Sequence, residues 1–176
     1  TYFGWVDGQF RMLEAMEINH SILAKIGGAV SWIFIPLGWG DWKSTVAAIT
    51  GLVAKENVVG TFGILYGFAE VAEDGTEIWG TLAGSMTALA AYSFLVFNLL
   101  CAPCFAAMGA IRREMNNAKW FWFAIGYQTG LAYVVSLCVY QLGILFTAGA
   151  LGIGTVVAVL LLAGFLYLLV RPYKER

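Results

Sequence analysis

The chain has 176 residues, 60% of them hydrophobic and only 12% charged, with a formal net charge of −1. Soluble globular chains carry about 25% charged residues, so this composition excludes an ordinary water-soluble domain and demands lipid as a solvent. The few charges come in short groups with no basic face, which leaves no footprint for nucleic acid.

Residues 1 to 20 mix Asp7, Arg11, Glu14 and Glu17 with Phe3, Trp5, Phe10, Met12, Leu13 and Met16. That mixture predicts an interfacial amphipathic helix over 1–21, lying on the membrane surface. No basic n-region with a short apolar core and a cleavage site opens the chain, which reads as a piece of a longer protein. Ile22 to Trp39 is apolar apart from Lys25, and the cluster Pro36, Gly38, Gly40, Asp41 ends it, giving a first short span or half-span.

Ser44 to Ala69 would be an ordinary span except that Lys55, Glu56 and Asn57 stand at its centre and leave two apolar halves, each too short to cross. A broken or re-entrant helix fits. Glu70, Glu73, Asp74 and Glu77 then form an acidic aqueous loop. Thr81 to Ile111 is a second uncharged run, and Pro103 within it removes a helical hydrogen bond, so a kink near Leu99 to Cys104 is expected.

From Trp120 to Val170 no Asp, Glu, Lys or Arg occurs. As one helix this stretch would run roughly 75 Å against a hydrocarbon core of about 30 Å, so two spans share it. The turn between them falls at the Gly-rich patch 147–154. Basic groups at 112–119 and 171–176 predict cytoplasmic positions for both, with crossings running outward along 44–69, inward along 81–111, outward along 120–146 and inward along 150–170. Aromatic residues at Trp120, Phe121, Trp122, Tyr167 and Tyr173 suit an interfacial belt. Gly80/Gly84, Gly126/Gly130 and Gly63/Gly67 offer small-residue spacings for helix contact. The fold class expected is all-α: a polytopic transmembrane helical bundle with broken or re-entrant helices.

Charged side chains at mid-bilayer cost about 2.5 to 3.5 kcal/mol each. Lys55 and Glu56 must therefore face protein, water or each other, either as a site or as a neutralising contact in the bundle. Pro103 leaves the Leu99 carbonyl without its helical donor, and Asn98, Cys101 and Cys104 stand around it. Thiolate and oxygen donors together suit a first-row divalent ion such as Fe(II), with Mn(II) poorly separated from it; buried cysteines acting as small hydrophobes are the alternative. His20 sits at the edge of an apolar segment and reads as exposed or capping. The string Gly40 to Ser44 lacks phosphate-loop spacing. The three cysteines, Cys101, Cys104 and Cys138, lie in apolar stretches and suggest no disulfide framework.

Three stretches resemble the ferrous iron transport protein B (FeoB) family. They are GWGDWKSTVAAITGLVAKENVVGTFG from Gly38 to Gly63, FNLLCAPCFAAMGAIRREM from Phe97 to Met115, and WFWFAIGYQTGLAYVVSLCVYQLG from Trp120 to Gly143. The resemblance implies the second gate region and C-terminal helices of a bacterial inner-membrane permease. The interfacial segment then covers 1–21, the gate region 22–115, and a helix pair with a basic tail 116–176. It further implies Fe(II) as the transported ion and no resident cofactor in this chain. GTP is bound only by an upstream parent domain, and this chain is not itself an enzyme. By the same resemblance the gate cysteine is Cys104 and the gate lysine and glutamate are Lys55 and Glu56, with Cys104 and Glu56 as metal ligands. Lys55, Asn57, Asn98, Cys101 and Pro103 are expected to line the path, Cys101 having no counterpart in the family pattern. The partners implied are the lipid bilayer, Fe(II) and the rest of such a chain, namely its GTPase domain and first gate region; a homo-oligomer is an alternative to a single copy.

Two competing readings keep the membrane. A nucleoside permease would need polar side chains to bond a ribose or base, and few Asn, Gln, Ser or Thr lie near Lys55. A membrane thiol oxidoreductase would use Cys101 and Cys104, but the strand context such a motif requires is missing.

Overall fold

The computed structural model describes residues 3–6, 9–12, 19–51, 55, 57–68, 76, 78–149 and 152–170. Its N-terminal stretch is not the expected amphipathic helix. Phe3–Val6 (β1) and Gln9–Met12 (β2) pair antiparallel, Phe3 opposite Met12 and Val6 opposite Gln9. Asp7 and Gly8 separate the strands in sequence, and Asp-Gly is among the strongest local signals for a two-residue hairpin. That preference outweighs a helical pattern with only a mixed apolar face. Beyond this hairpin the described chain is a bundle of helices.

Helix α1 (Ile22–Ser31) starts where the Ser21 hydroxyl accepts the Ala24 N–H at 3.0 Å, a cap that satisfies one orphan donor of the first turn. It tightens into a 3-10 segment, Trp32–Leu37, which contains Pro36 and ends at Gly38 with φ +88°. Only glycine suits this position. The left-handed backbone disfavours a side chain, and a Cβ there would enter the Tyr140 ring. Asp41 then accepts the Ser44 N–H at 2.9 Å and opens α2 (Trp42–Gly51), which is bent 94° from the helix before it.

Helices α2 and α3 (Asn57–Leu65) fold back on each other. The Thr50 and Thr61 hydroxyls stand 3.0 Å apart, and the Lys43 ammonium, at the start of α2, lies 4.1 Å from the centre of the Tyr66 ring just beyond α3. Along one straight helix residues 50 and 61 would be roughly 16 Å apart. The segment is therefore a re-entrant hairpin that returns to its own side, and the outward crossing expected over 44–69 is corrected. The cause is the interruption at Lys55, a turn between α2 and α3: neither half is long enough to span, so each buries its apolar face against the other.

Helices α4 (Trp79–Ser85), α5 (Ala88–Leu100) and α6 (Phe105–Met115) follow. The Thr87 hydroxyl caps α5 by accepting the Ala90 N–H, and Asn116, at φ +44°, ends α6. Asn117 caps α7 (Ala118–Ala148), whose end at Gly149 leads to α8 (Ile153–Val170), as the Gly-rich patch predicted. Among the described residues two stretches are long and apolar enough to cross a membrane, Ala88–Met115 and α7.

Helices α5 and α7 run antiparallel through a buried serine pair. The Ser93 and Ser136 hydroxyls are 2.8 Å apart, and each also reaches the other's carbonyl, at 3.2 and 2.8 Å. Helix α7 also holds the 3-10 segment by its main chain, the Tyr133 hydroxyl donating to Ile33 O and Gln141 Nε2 to Pro36 O, both at 2.7 Å. Trp39 fills the centre, stacked on Phe34 at 4.4 Å and edge-on to Phe94 at 5.1 Å. Close helix approach occurs at Gly27, Gly51, Gly143 and Gly154, whereas Gly80, Gly84, Gly126 and Gly130 face open space, so among the described residues these two small-residue spacings do not build contacts; of the third, Gly67 faces open space and Gly63 is buried.

Candidate functional site at the paired helix breaks

The break after α5 lies where Pro103 predicts it. The final carbonyls of a helix lack intrahelical donors, and here three of them are satisfied in different ways. Phe97 O accepts the Cys101 N–H at 2.8 Å. Asn98 O accepts the Cys101 thiol at 3.3 Å. Leu99 O, whose donor four residues on would be Pro103, accepts Lys55 Nζ at 3.1 Å.

Lys55 comes from the tip of the re-entrant hairpin. The two interruptions read from the sequence thus meet at one point. Their approach depends on Gly51, where a Cβ would lie 2.8 Å from Val58 Cγ2 and 3.2 Å from Asn98 Oδ1. Asn98 itself is buried and donates from Nδ2 to Phe94 O at 2.9 Å, which keeps its side chain on α5. A helix carbonyl end carries roughly half a negative charge, so an ammonium on it is electrostatically favoured.

The predicted residues divide. Cys101 is buried with its thiol turned to Asn98 O and, at 3.8 Å, Ala102 O. Cys104 is half-buried at the N-cap of α6 and makes no capping bond through its side chain. Asn57 is the exposed first residue of α3. Glu56 lies outside the described residues. Among the described residues no three His, Cys, Asp or Glu side chains stand close enough together to hold a metal ion. A cavity of about 330 Å³ opens beside the break, walled by Phe34, Phe97, Cys101, Ala102, Met108 and Trp122.

One contact at the open end of the hairpin had no sequence signal. Lys43 lies over Tyr66, whose hydroxyl donates to Ser85 Oγ at 2.7 Å. This joins the hairpin mouth to α4. Residues so far apart along the chain share no spacing rule that could have paired them.

The interrupted helix α5–α6 is met by the tip of a re-entrant hairpin, and residues 11–118 match the Gate family, described as nucleoside recognition, to which the chain belongs. Its relatives include FeoB proteins. The Fe(2+) transporter FeoB of Methanocaldococcus jannaschii is 37% identical over 126 residues, 72% of this chain and 18% of that protein. The Staphylococcus aureus FeoB is 33% identical over 131 residues, 74% of this chain and 19% of that protein. An Fe(2+) transport protein A/FeoB fusion protein of Porphyromonas gingivalis is 35% identical over 146 residues, 77% of this chain and 17% of that protein. The chain therefore spans under a fifth of the length of these curated relatives. No solved structure matches it significantly.

Proposed function

We propose that this chain is the second gate of a FeoB-type permease and helps conduct Fe(II) across the bacterial inner membrane, with the passage running beside the paired breaks. The observation that carries the reading is the bond from Lys55 to the Leu99 carbonyl. It brings together two interruptions, and unwound backbone at mid-depth is tolerated where it lines a cavity or ion path. Cys104, half-buried at that break, supplies a soft donor, and Glu56, adjacent to Lys55 in sequence, a carboxylate; both suit Fe(II).

The remainder of the parent chain, with its first gate region and GTP-binding domain, would complete the path. Antiparallel packing of α5, α7 and α8 supports a common side for residues 112–119 and the end of α8, opposite the hairpin mouth. The basic residues of that side make it the cytoplasmic one.

The test is Fe(II) uptake by the intact parent in proteoliposomes. The wild type should carry the ion, and Cys104→Ser combined with Glu56→Ala should abolish most of the flux; unchanged flux would refute these two as ligands. Nucleoside uptake is measured beside it because of the family's description. The cavity's apolar walls serve neither ligand; the ion reading is supported by the FeoB relatives and by the sulfur and carbonyl oxygen donors at the break.

A further inference from the structure

We infer that the carbonyl end of α5 is a cation site which the protein fills with its own Lys55 ammonium, a tethered charge that must leave before a transported ion can take its place. The inference rests on the Fe(II) permease reading and deepens it. It starts from a carbonyl deprived of its helical donor by Pro103 and served across 44 residues of sequence by a lysine on another element. The neighbouring carbonyls are served from within the break, Phe97 O by the Cys101 N–H and Asn98 O by the Cys101 thiol. Leu99 O differs from them in taking a positive charge.

Satisfying a lone carbonyl needs only a neutral donor, and a hydroxyl or carboxamide would serve. What an ammonium adds is charge. It sits where the helix end is negative and where carbonyl oxygens of broken membrane helices coordinate cations. A divalent ion and Lys55 Nζ cannot share that oxygen at bonding distance, because they repel each other and require the same lone pairs. Occupancy by one therefore excludes the other, and Lys55, half-buried on a long flexible stem, is placed to swing aside. The gate then stays electrostatically filled when no ion is present.

The test uses the intact parent in anaerobic proteoliposomes. Lys55→Gln keeps an N–H donor and removes the charge. The half-saturating Fe(II) concentration should fall roughly five- to tenfold, the lower end of coupling between linked sites, while Lys55→Arg should leave it unchanged. An unchanged or raised value in Lys55→Gln overturns the inference. It leaves the permease reading intact so long as the wild type carries Fe(II), and loss of wild-type Fe(II) flux would fail that reading instead. Should the substitution reduce folded protein, the wild type supplies the answer. Labelling of Lys55 by an amine-reactive reagent, read by mass spectrometry, should rise severalfold when Fe(II) is added and frees the ammonium. Labelling that is constant or suppressed by Fe(II) overturns it.

Discussion

Lys55 Nζ lies 3.1 Å from the carbonyl oxygen of Leu99, joining the tip of a re-entrant hairpin to the end of a broken helix. Neither element could hold this geometry alone. The carbonyl is available because residue 103 is proline, and the lysine arrives because Gly51 lets the hairpin approach Asn98.

Pro103→Ala would restore an N–H aimed at Leu99 O and remove a clash that favours the break by about 3 kcal/mol. The helix should heal across 101–104 and displace Lys55. Fe(II) uptake by the parent is expected to fall at least severalfold; uptake at the wild-type rate would show that the break is not used.

The fold-back of α2 on α3 is open to cross-linking. With hydroxyls 3.0 Å apart at Thr50 and Thr61, Thr50→Cys with Thr61→Cys should oxidise to an intramolecular disulfide in the membrane. A straight helix would keep these positions roughly 16 Å apart, far outside disulfide reach. Absence of the cross-link under oxidant would argue for a crossing in place of the hairpin.

The serine pair between α5 and α7 should show strong coupling. Ser93→Ala or Ser136→Ala leaves the partner hydroxyl buried without its full set of bonds, and each should cost about 1 kcal/mol or more. The double variant should cost less than the sum of the two. Membrane hydrogen bonds average about 0.6 kcal/mol and reach about 1.7, so a double-mutant cycle by detergent unfolding that returned zero coupling would contradict the reciprocal bonds.

Thiol accessibility separates the cysteines. Cys101 and Cys138 are 3% and 8% exposed, whereas Cys104 is half-buried at a helix start. A small maleimide should therefore modify Cys104 well before the other two. Equal rates at Cys101 and Cys104 would mean that the Cys101 thiol is not held against Asn98 O.

The interruptions were legible because they are violations. Lys55 within an apolar run and Pro103 within another break rules that membrane helices otherwise obey, and both breaks occur where those residues stand. Their meeting was not legible, since one partner is a backbone carbonyl and the other a lysine 44 residues away. The direction of the 44–69 segment was misread for a related reason. Charge placement constrains which side a loop occupies, but a hairpin that returns to its own side shifts no later crossing out of register. At the N-terminus a single dipeptide, Asp7-Gly8, outweighed a scattered amphipathic pattern. Glycine spacing misled because it is common at 21 glycines, while the contacts that matter at Gly27, Gly51, Gly143 and Gly154 follow from which faces the breaks bring together.

Helix α7 runs 31 residues, roughly 46 Å against a hydrocarbon thickness of about 30 Å. Such a rod must lean or protrude to relieve the mismatch, and Tyr133 and Gln141 fasten the 3-10 segment to it. A change in bilayer thickness or in its angle of lean would therefore be delivered, as by a lever, to the polypeptide leading into the hairpin.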